Sequence, residues 1–353
     1  MLRLCGGQSM MGRHFTVLGI LVAALSFGLA VRGAAEVLAP VNPNATPEAR
    51  ALFQYLQSIR GERMLAGHHV MYDEMHDRDL AHILEATGKV PALLEFEGGI
   101  FELKFDDAYA DLKDKLVAEA IDHWKRGGIV AVCWHWGNPL EPENTYPNTK
   151  IKFDIQAAFQ QGTPEHEAMM KDLDVMAGIL RELQDAKVPV LWRPLHEICG
   201  GWFWWSKQGE ESAEELWRFI YTYFTDHHEL NNLLWVYSYS QRMKTDWNPG
   251  LETMDIVGVD IYRRGQQDEK KNHDRMAAVA AGKPVALSEC DVIPDPDVMQ
   301  ERGFLWDWFT TWHSQYVRRN EPDFLKHVYT HDLVITRDEL PDLKAAASQA
   351  GNP

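Results

Sequence analysis

The chain has 353 residues, of which 45% are hydrophobic and 25% charged, so it can bury a large core and does not have the composition of a disordered protein. Lys and Arg total 35 against 52 Asp and Glu, which gives a formal net charge of −17. This balance argues against nucleic-acid phosphates and anionic membranes as partners, because both require clustered cations. The 13 Trp residues favour flat, hydroxylated ligands such as sugars, whose faces stack on aromatic rings. Length alone allows one or two domains.

The first 35 residues have the pattern of an export signal. A basic start precedes an uncharged apolar run at residues 15–31, and small residues follow at 33–35. We expect cleavage near Ala35, which makes residues 36–353 a secreted or periplasmic domain. An uncleaved membrane anchor is the alternative, since the run is close to the minimum length for spanning a bilayer.

Eight short apolar runs are predicted strands. They are Met64–Val70, Val90–Phe96, Ile129–Trp134, Val188–Leu195, Leu233–Tyr239, Asp255–Ile261, Pro284–Ser288 and Phe304–Trp312. Amphipathic stretches with apolar residues three and four apart are predicted helices, and they are Glu48–Ser58, Arg78–Thr87, Ala110–Trp124, Glu167–Ala186, Ala213–His228 and Asp274–Ala281.

The alternation of strands and helices predicts parallel strands joined by crossovers. Eight strands favour a single α/β (β/α)8 TIM barrel with a short N-terminal extension and helix. An open doubly wound sheet is the alternative, but no glycine-rich nucleotide motif follows the first strand. The link between the fifth and sixth strands, at 247–252, leaves little room for a helix.

Polar and reactive residues end seven of the predicted strands. They are His68 and His69, Glu95 and Glu97, Trp134–Pro139, Arg193–Glu197, Asp260–Tyr262, Ser288 with Glu289, and Trp312 with His313. Because the carboxyl ends of barrel strands meet at one rim, the sequence predicts an active site there.

Glu197 and Glu289 are the strongest catalytic pair. They end the fourth and seventh strands, which face each other across a barrel mouth, and two opposed carboxyls are what glycoside hydrolysis requires. Two solvated rim glutamates are the alternative interpretation. Arg193 could keep a neighbouring carboxylate ionised. Neighbours such as His196 and Glu197 point to opposite faces of a regular strand, but Pro194 indicates a local irregularity that could direct both to the mouth.

Four aromatic residues follow at 202–205, and they cannot all face one way. We expect some to pack inside and at least one to stack on a ligand. Three cysteines lie beyond the predicted export signal, and each ends an apolar run: Cys133, Cys199 and Cys290. We expect small buried side chains there, and one disulfide between two of them is the alternative.

Two functions from other classes remain as alternatives. A metal-dependent hydrolase is one, but the adjacent His68 and His69 cannot both bind one ion and no HExxH motif occurs. A non-catalytic sugar-binding barrel is the other, and it fits poorly because both glutamates are present. We therefore expect no metal and no cofactor.

The stretch Trp192–Trp205 closely resembles the acid/base motif of glycoside hydrolase family 26, the β-mannanases. Five further segments resemble the other landmarks of that family in order, and they are Trp134–Pro139, Leu234–Ser238, Asp255–Tyr262, Pro284–Glu289 and Val334–Leu340. The resemblance covers roughly residues 50–340.

The resemblance implies a retaining mechanism in which Glu197 is the acid/base and Glu289 the nucleophile, with Arg193 and His196 supporting these carboxyls. Retention predicts carboxyl groups about 5–5.5 Å apart. A general acid needs a raised pKa, so Glu197 is expected against apolar surface.

Further roles follow from the same resemblance. Tyr262 matches a tyrosine that bonds the nucleophile, with Asp260 beside it. His135 and Trp312 match residues lining the subsite where the sugar is distorted, and Trp202 matches an aromatic platform. The sequence departs from the family pattern at the end of the second strand, where a glutamate, residue 97, stands in place of an aspartate, and after the nucleophile, where a cysteine stands in place of a smaller residue.

The activity that the resemblance implies is endo-β-1,4-mannanase. Mixed-linkage β-glucan or β-1,3-xylan as substrate, or exo action releasing mannobiose, are alternatives within the family. The expected partner is a polysaccharide or oligosaccharide rather than nucleic acid or a membrane, and we expect a monomer.

Overall fold

The structure is a computed structural model that describes residues 38–71, 74–101, 110–143, 145–262 and 268–350. The predicted export signal, residues 1–35, lies outside the described residues. Among the helices that are described, none combines the length and the apolar character that a bilayer crossing requires.

The strands of the described residues form one closed parallel barrel. They are β1 Met64–Val70, β2 Leu93–Glu97, β3 Ile129–Cys133, β4 Val190–Arg193, β5 Leu233–Ser240, β6 Ile256–Ile261, β7 Val285–Cys290, β8 Trp308–Thr311 and β9 Val334–Ile335. Strands β1 to β8 pair in sequence order, and β1 closes the ring by pairing with both β2 and β8. The predicted (β/α)8 barrel is confirmed.

Helices surround the barrel. They are α1 Pro47–Ile59, α2 Glu74–Thr87, α3 Gly98–Phe101, α4 Ala110–Lys125, α5 Ile155–Ala158, α6 Pro164–Asp185, α7 Glu210–Thr222, α8 Glu269–Ala280, α9 Pro296–Arg302, α10 Gln315–Arg318, α11 Pro322–Tyr329 and α12 Leu343–Ala350. Between β5 and β6 the described chain holds a 3₁₀ turn, Leu251–Thr253, as the short link predicted.

Capping residues set where two of these helices begin. The Thr46 and Thr163 side chains accept hydrogen bonds from backbone N–H groups of the first turn, and a proline occupies the next position in each case. Both features favour a helix start, because the side chain satisfies a free N–H and proline lacks one. Helix α6 therefore begins at Pro164, three residues before the predicted start.

The apolar core lies between the sheet and the helices. Trp217 of α7, for example, packs edge-on against Tyr237 of β5, with ring centroids 4.8 Å apart. Cys133, Cys199 and Cys290 are buried and unbridged, which confirms the expectation of small buried side chains.

Strand β9 was not predicted as part of the sheet. It lies parallel to the first residues of β1, with Val334 opposite Met64 and Ile335 opposite Leu65. The contact is at the amino end of β1, which is the end of the barrel opposite the polar rim. Two residues are too few to give an alternating pattern in the sequence.

Candidate active site

The segment after β4 leaves the regular strand path. Leu195 and Glu197 have φ angles of +49° and +52°, in the left-handed region. With alternate residues in this conformation, the neighbours His196 and Glu197 both line the same cleft. This is the irregularity that Pro194 indicated, and it explains how two adjacent side chains reach one site.

Strand β7 is also irregular at the site. Val259 of β6 lies opposite Leu287, but the next residue, Asp260, lies opposite Glu289, so the register skips Ser288. The Ser288 hydroxyl donates to Asp260 Oδ1 at 2.7 Å, while Glu289 reaches the guanidinium of Arg193. Two consecutive residues therefore face the barrel interior, which a regular strand would not allow.

Arg193 connects three carboxyl groups inside the barrel. Its Nε and Nη2 atoms donate to the two oxygens of Glu95 at 2.9 and 3.0 Å, its Nη1 donates to Asp260 Oδ2 at 3.0 Å, and Nη2 donates to Glu289 Oε1 at 2.5 Å. All four side chains are buried. A guanidinium is always charged and presents its donors in a fixed plane, so this network fixes the orientation of Glu289.

Both oxygens of Glu289 are hydrogen-bonded. The Tyr262 hydroxyl donates to Oε2 at 2.7 Å, opposite the bond from Arg193 to Oε1. Burial together with the Glu289 charge raises the pKa of Tyr262 well above its ordinary value, so it remains a donor. The two donors hold the carboxylate with its charge stabilised, as a nucleophile requires.

Glu197 lies in a different environment. Trp202 Nε1 donates to its Oε2 at 2.5 Å. Burial, with the charges of Asp260 and Glu289, raises the pKa of Glu197 to about 9. Burial and the Asp260 charge raise the pKa of Glu289 too, to about 8, against the opposing charge of Arg193. Because Arg193 and Tyr262 bond the Glu289 carboxyl directly, Glu289 is the one of the two glutamates that ionises first.

His135 and Glu97 form a second pair at the cleft wall. The imidazole Nδ1 lies 2.6 Å from Glu97 Oε2, and the backbone N–H groups of His135 and Gly99 both donate to Oε1. Burial disfavours both charges, yet their attraction prevails: it raises the pKa of His135 and lowers that of Glu97 to about 2. Glu97, which stands where the family pattern has the shorter aspartate, thus anchors His135.

Trp312 forms another wall of the cleft. Its ring stacks on His69 with centroids 3.8 Å apart, and His69 Nδ1 lies 3.0 Å from Glu95 Oε2. Burial lowers the pKa of His69 well below its usual value, so the ring is neutral. A neutral ring held from behind keeps Trp312 in a fixed orientation toward the cleft.

These residues surround a cleft of about 820 Å³. Of the site residues predicted from sequence, seven line it, and they are His135, His196, Glu197, Trp202, Tyr262, Glu289 and Trp312. Arg193 and Asp260 are buried beneath the cleft: Arg193 bonds Glu289, which lines it, and Asp260 bonds Arg193. The structure therefore brings all nine together.

The aromatic run at 202–205 divides as expected. Trp202 and Phe203 line the cleft, whereas Trp204 and Trp205 are buried behind it. The Nε1 atoms of these two donate to the backbone carbonyls of Trp136 and His196. They support the loop that carries the cleft residues.

Sequence reasoning did not assign three residues of this site. Glu95 is the bidentate partner of Arg193, Glu97 anchors His135, and His69 backs Trp312. Their signal was present, since all three end predicted strands. What the sequence lacked was a reason to choose among several polar strand ends.

The comparisons with known proteins agree with this geometry. A sequence model of glycosyl hydrolase family 26 matches residues 41–339. A mannan endo-1,4-beta-mannosidase of Thermothelomyces thermophilus is 35% identical over 315 residues, which are 85% of this chain and 62% of the relative. One of Bacillus subtilis is 30% identical over 301 residues, 79% of this chain and 81% of the relative.

Solved structures give the same result. The crystal structure of a beta-mannanase from a symbiotic protist of the termite Reticulitermes speratus, complexed with gluco-manno-oligosaccharide, has a TM-score of 0.79 and 30% identity. The match covers 86% of this chain and 98% of that one. Against the Thermothelomyces relative and two from Piromyces, this chain spans 62%, 56% and 50% of their lengths. With a family match over most of its length and the family's fold, the chain belongs to glycosyl hydrolase family 26.

Proposed function

We propose that this protein is an endo-β-1,4-mannanase that cleaves mannan-type polysaccharides with retention of configuration. The observation that carries the proposal is the contrast between two buried glutamates. Glu289 accepts hydrogen bonds from Arg193 and Tyr262 on its two oxygens, and these donors favour its ionised form. Glu197 accepts from Trp202 and has the higher pKa of the two. A stabilised nucleophile and a proton donor that ionises after it are what the retaining mechanism needs.

The first step forms a covalent intermediate. A Glu289 oxygen attacks the anomeric carbon as the bond to the leaving oxygen breaks, and Glu197 gives its proton to that oxygen. In the second step Glu197, now a carboxylate, accepts a proton from water while the hydroxide portion attacks the same carbon. The bond to Glu289 breaks, and both glutamates return to their starting states.

The substrate follows from the relatives rather than from the cleft. The relatives named above are mannan endo-1,4-beta-mannosidases, and the protist structure holds a gluco-manno-oligosaccharide. Release of reducing sugar from mannan, glucomannan, lichenan and β-1,3-xylan tests the assignment. We expect mannan and glucomannan to be cleaved to mixed oligosaccharides. Activity on lichenan or β-1,3-xylan alone, or mannobiose as the first product, would overturn it.

The two glutamate roles are separable by variants. Glu289→Ala should lose turnover on every substrate while keeping the native fold, which circular dichroism checks. Glu197→Ala should still form the intermediate from an aryl mannoside whose leaving group needs no proton, and added azide should then yield a β-glycosyl azide. An α-azide product would contradict retention, and a fully active Glu289→Ala enzyme would refute the nucleophile assignment.

We also propose that residues 1–35 direct export and are removed, leaving a secreted or periplasmic monomer without membrane association. The support is the charge and hydropathy pattern of that segment. Intact mass and N-terminal sequencing of exported protein test cleavage, and gel filtration with light scattering tests the monomer. A mass that includes residues 1–35 or a stable dimer would contradict the respective part.

A further inference from the structure

Three potential metal ligands converge at the base of the cleft. One donor atom each from Cys133, His135 and His196 lies within 4.8 Å of the other two. Zinc–sulfur and zinc–nitrogen bonds of about 2.3 and 2.1 Å place the ligands of a tetrahedral site roughly 3.4–3.6 Å apart. The three side chains would thus need to close in by about an ångström.

His196 has a nitrogen available for a metal. The residue is 1% exposed, and its Nδ1 atom is buried without a hydrogen-bond partner. The ring is hydrogen-bonded to the backbone of Trp134. A buried ring nitrogen with no donor facing it is costly, and it is ready to bind a cation.

His135 is oriented as metal-binding histidines usually are. Its Nδ1 is fixed by Glu97 Oε2 at 2.6 Å, which leaves Nε2 for a metal. A carboxylate on the far nitrogen holds the ring orientation and increases the basicity of the ligand. His135 also lines the cleft, so an ion can enter from solvent.

The geometry points to an inhibitory site for Zn²⁺ made of Cys133, His135 and His196. Binding forms one zinc–sulfur bond and two zinc–nitrogen bonds, and the protons of the Cys133 thiol and of His135 Nε2 pass to solvent. Because His135 and His196 line the cleft, water from the cleft can take the fourth position of the tetrahedron. An ion here would hold both histidines and obstruct the sugar ring beside Glu197. The loss of activity rests on the proposed function, whereas the binding does not.

The test uses the full exported enzyme titrated with Co²⁺ and Zn²⁺. Cobalt in a site with one thiolate ligand should give a sulfur-to-cobalt charge-transfer band that saturates at one equivalent, and zinc should displace it. Zinc should inhibit mannan hydrolysis in parallel, with full recovery on addition of a chelator. Cys133→Ser should weaken both effects by about tenfold or more, with inhibition measured against that variant's own activity without metal.

Cys199→Ser is the matched control, since Cys199 is equally buried and free but lies outside the cluster. It should keep the cobalt band and the zinc inhibition. A second group of possible ligands, Asp295, Asp297 and His327, contains no thiol and does not line the cleft. Saturable cobalt binding without a thiolate band, no binding at all, or unchanged inhibition in Cys133→Ser would each overturn the proposal.

Discussion

The indole Nε1 of Trp202 donates a hydrogen bond to Oε2 of Glu197 over 2.5 Å. This bond stabilises the ionised form of Glu197 and so opposes the burial that raises its pKa to about 9. Trp202 thereby affects proton transfer as well as presenting an aromatic face to the cleft.

Removal of the donor should extend activity to higher pH. The first chemical step needs Glu197 protonated, so kcat/KM falls at high pH as Glu197 loses its proton. Trp202→Phe keeps a ring but lacks the N–H, which should raise the Glu197 pKa and move the basic limb upward by roughly one pH unit. The profile is measured with a chelator present. A basic limb that stays in place would separate Trp202 from the proton donor.

A methyl group at residue 200 should disturb the same contact. A Cβ added to Gly200 would lie 2.5 Å from ring atoms of Trp202, which is closer than real contacts. Gly200→Ala should therefore displace the indole and lower kcat/KM by about tenfold or more. Gly178→Ala, in the open middle of α6, is the control: it should leave kcat/KM unchanged and stabilise the fold by about 0.5–1 kcal/mol. Equal kinetics in both variants would refute the role of Gly200.

The shape of the Arg193 side chain should matter as much as its charge. Arg193→Lys keeps a cation but cannot reach Glu95, Asp260 and Glu289 together, because an ammonium has no planar fork. We expect kcat to fall on the order of 100-fold. The acidic limb of the pH profile should move to higher pH, because Glu289 loses its fixed partner and its pKa rises.

A more drastic change at the same residue tests its contribution to stability. Arg193→Met leaves three buried carboxyls without a cation and should cost about 3–5 kcal/mol of unfolding free energy. Arg218→Lys, at an exposed pair with Glu214, should change neither kinetics nor stability by more than about 1 kcal/mol. A stable, active Arg193→Met enzyme would show that the network is dispensable.

Asp307 should make stability depend on pH. Burial raises its pKa from 3.8 to about 7. The folded state therefore binds the proton more tightly than the unfolded chain, and this contribution to stability, complete near pH 4, is lost as the pH rises to about 7. Asp307→Asn removes that dependence. The thermal midpoint of the variant, compared with that of the wild type at the same pH, should therefore increase as the pH rises from about 4 to about 7. The exposed Asp185→Asn is the control, and parallel curves for wild type and Asp307→Asn would contradict the assignment.

Much of the fold could be predicted because its signals are local. Apolar runs marked the eight barrel strands, and the predicted bounds of β1 were the observed ones, Met64–Val70. The polar ends of these runs marked the rim, because a parallel barrel brings all carboxyl ends together. Neither inference requires knowledge of which side chains touch.

The contacts within the site could not be predicted, because they depend on register. Arg193 pairs with Glu95 across an intervening strand, a relationship that only the closed barrel defines. The skipped Ser288 opposite Asp260 is a shift of one residue, which leaves the hydrophobic pattern of β7 unchanged. Sequence spacing placed Glu197 and Glu289 on one rim, but it could not show which of the two is hydrogen-bonded to Arg193.

The left-handed backbone at Glu197 affects how this enzyme could be improved. A side chain at φ +52° is strained by roughly 1–2 kcal/mol compared with glycine, so folding alone favours Gly or Asn there. Random libraries selected only for thermal stability would therefore enrich substitutions of Glu197, the proposed proton donor, and yield stable but inactive proteins. Selection for stability in this enzyme needs an activity screen in every round, or a library in which residue 197 is not varied.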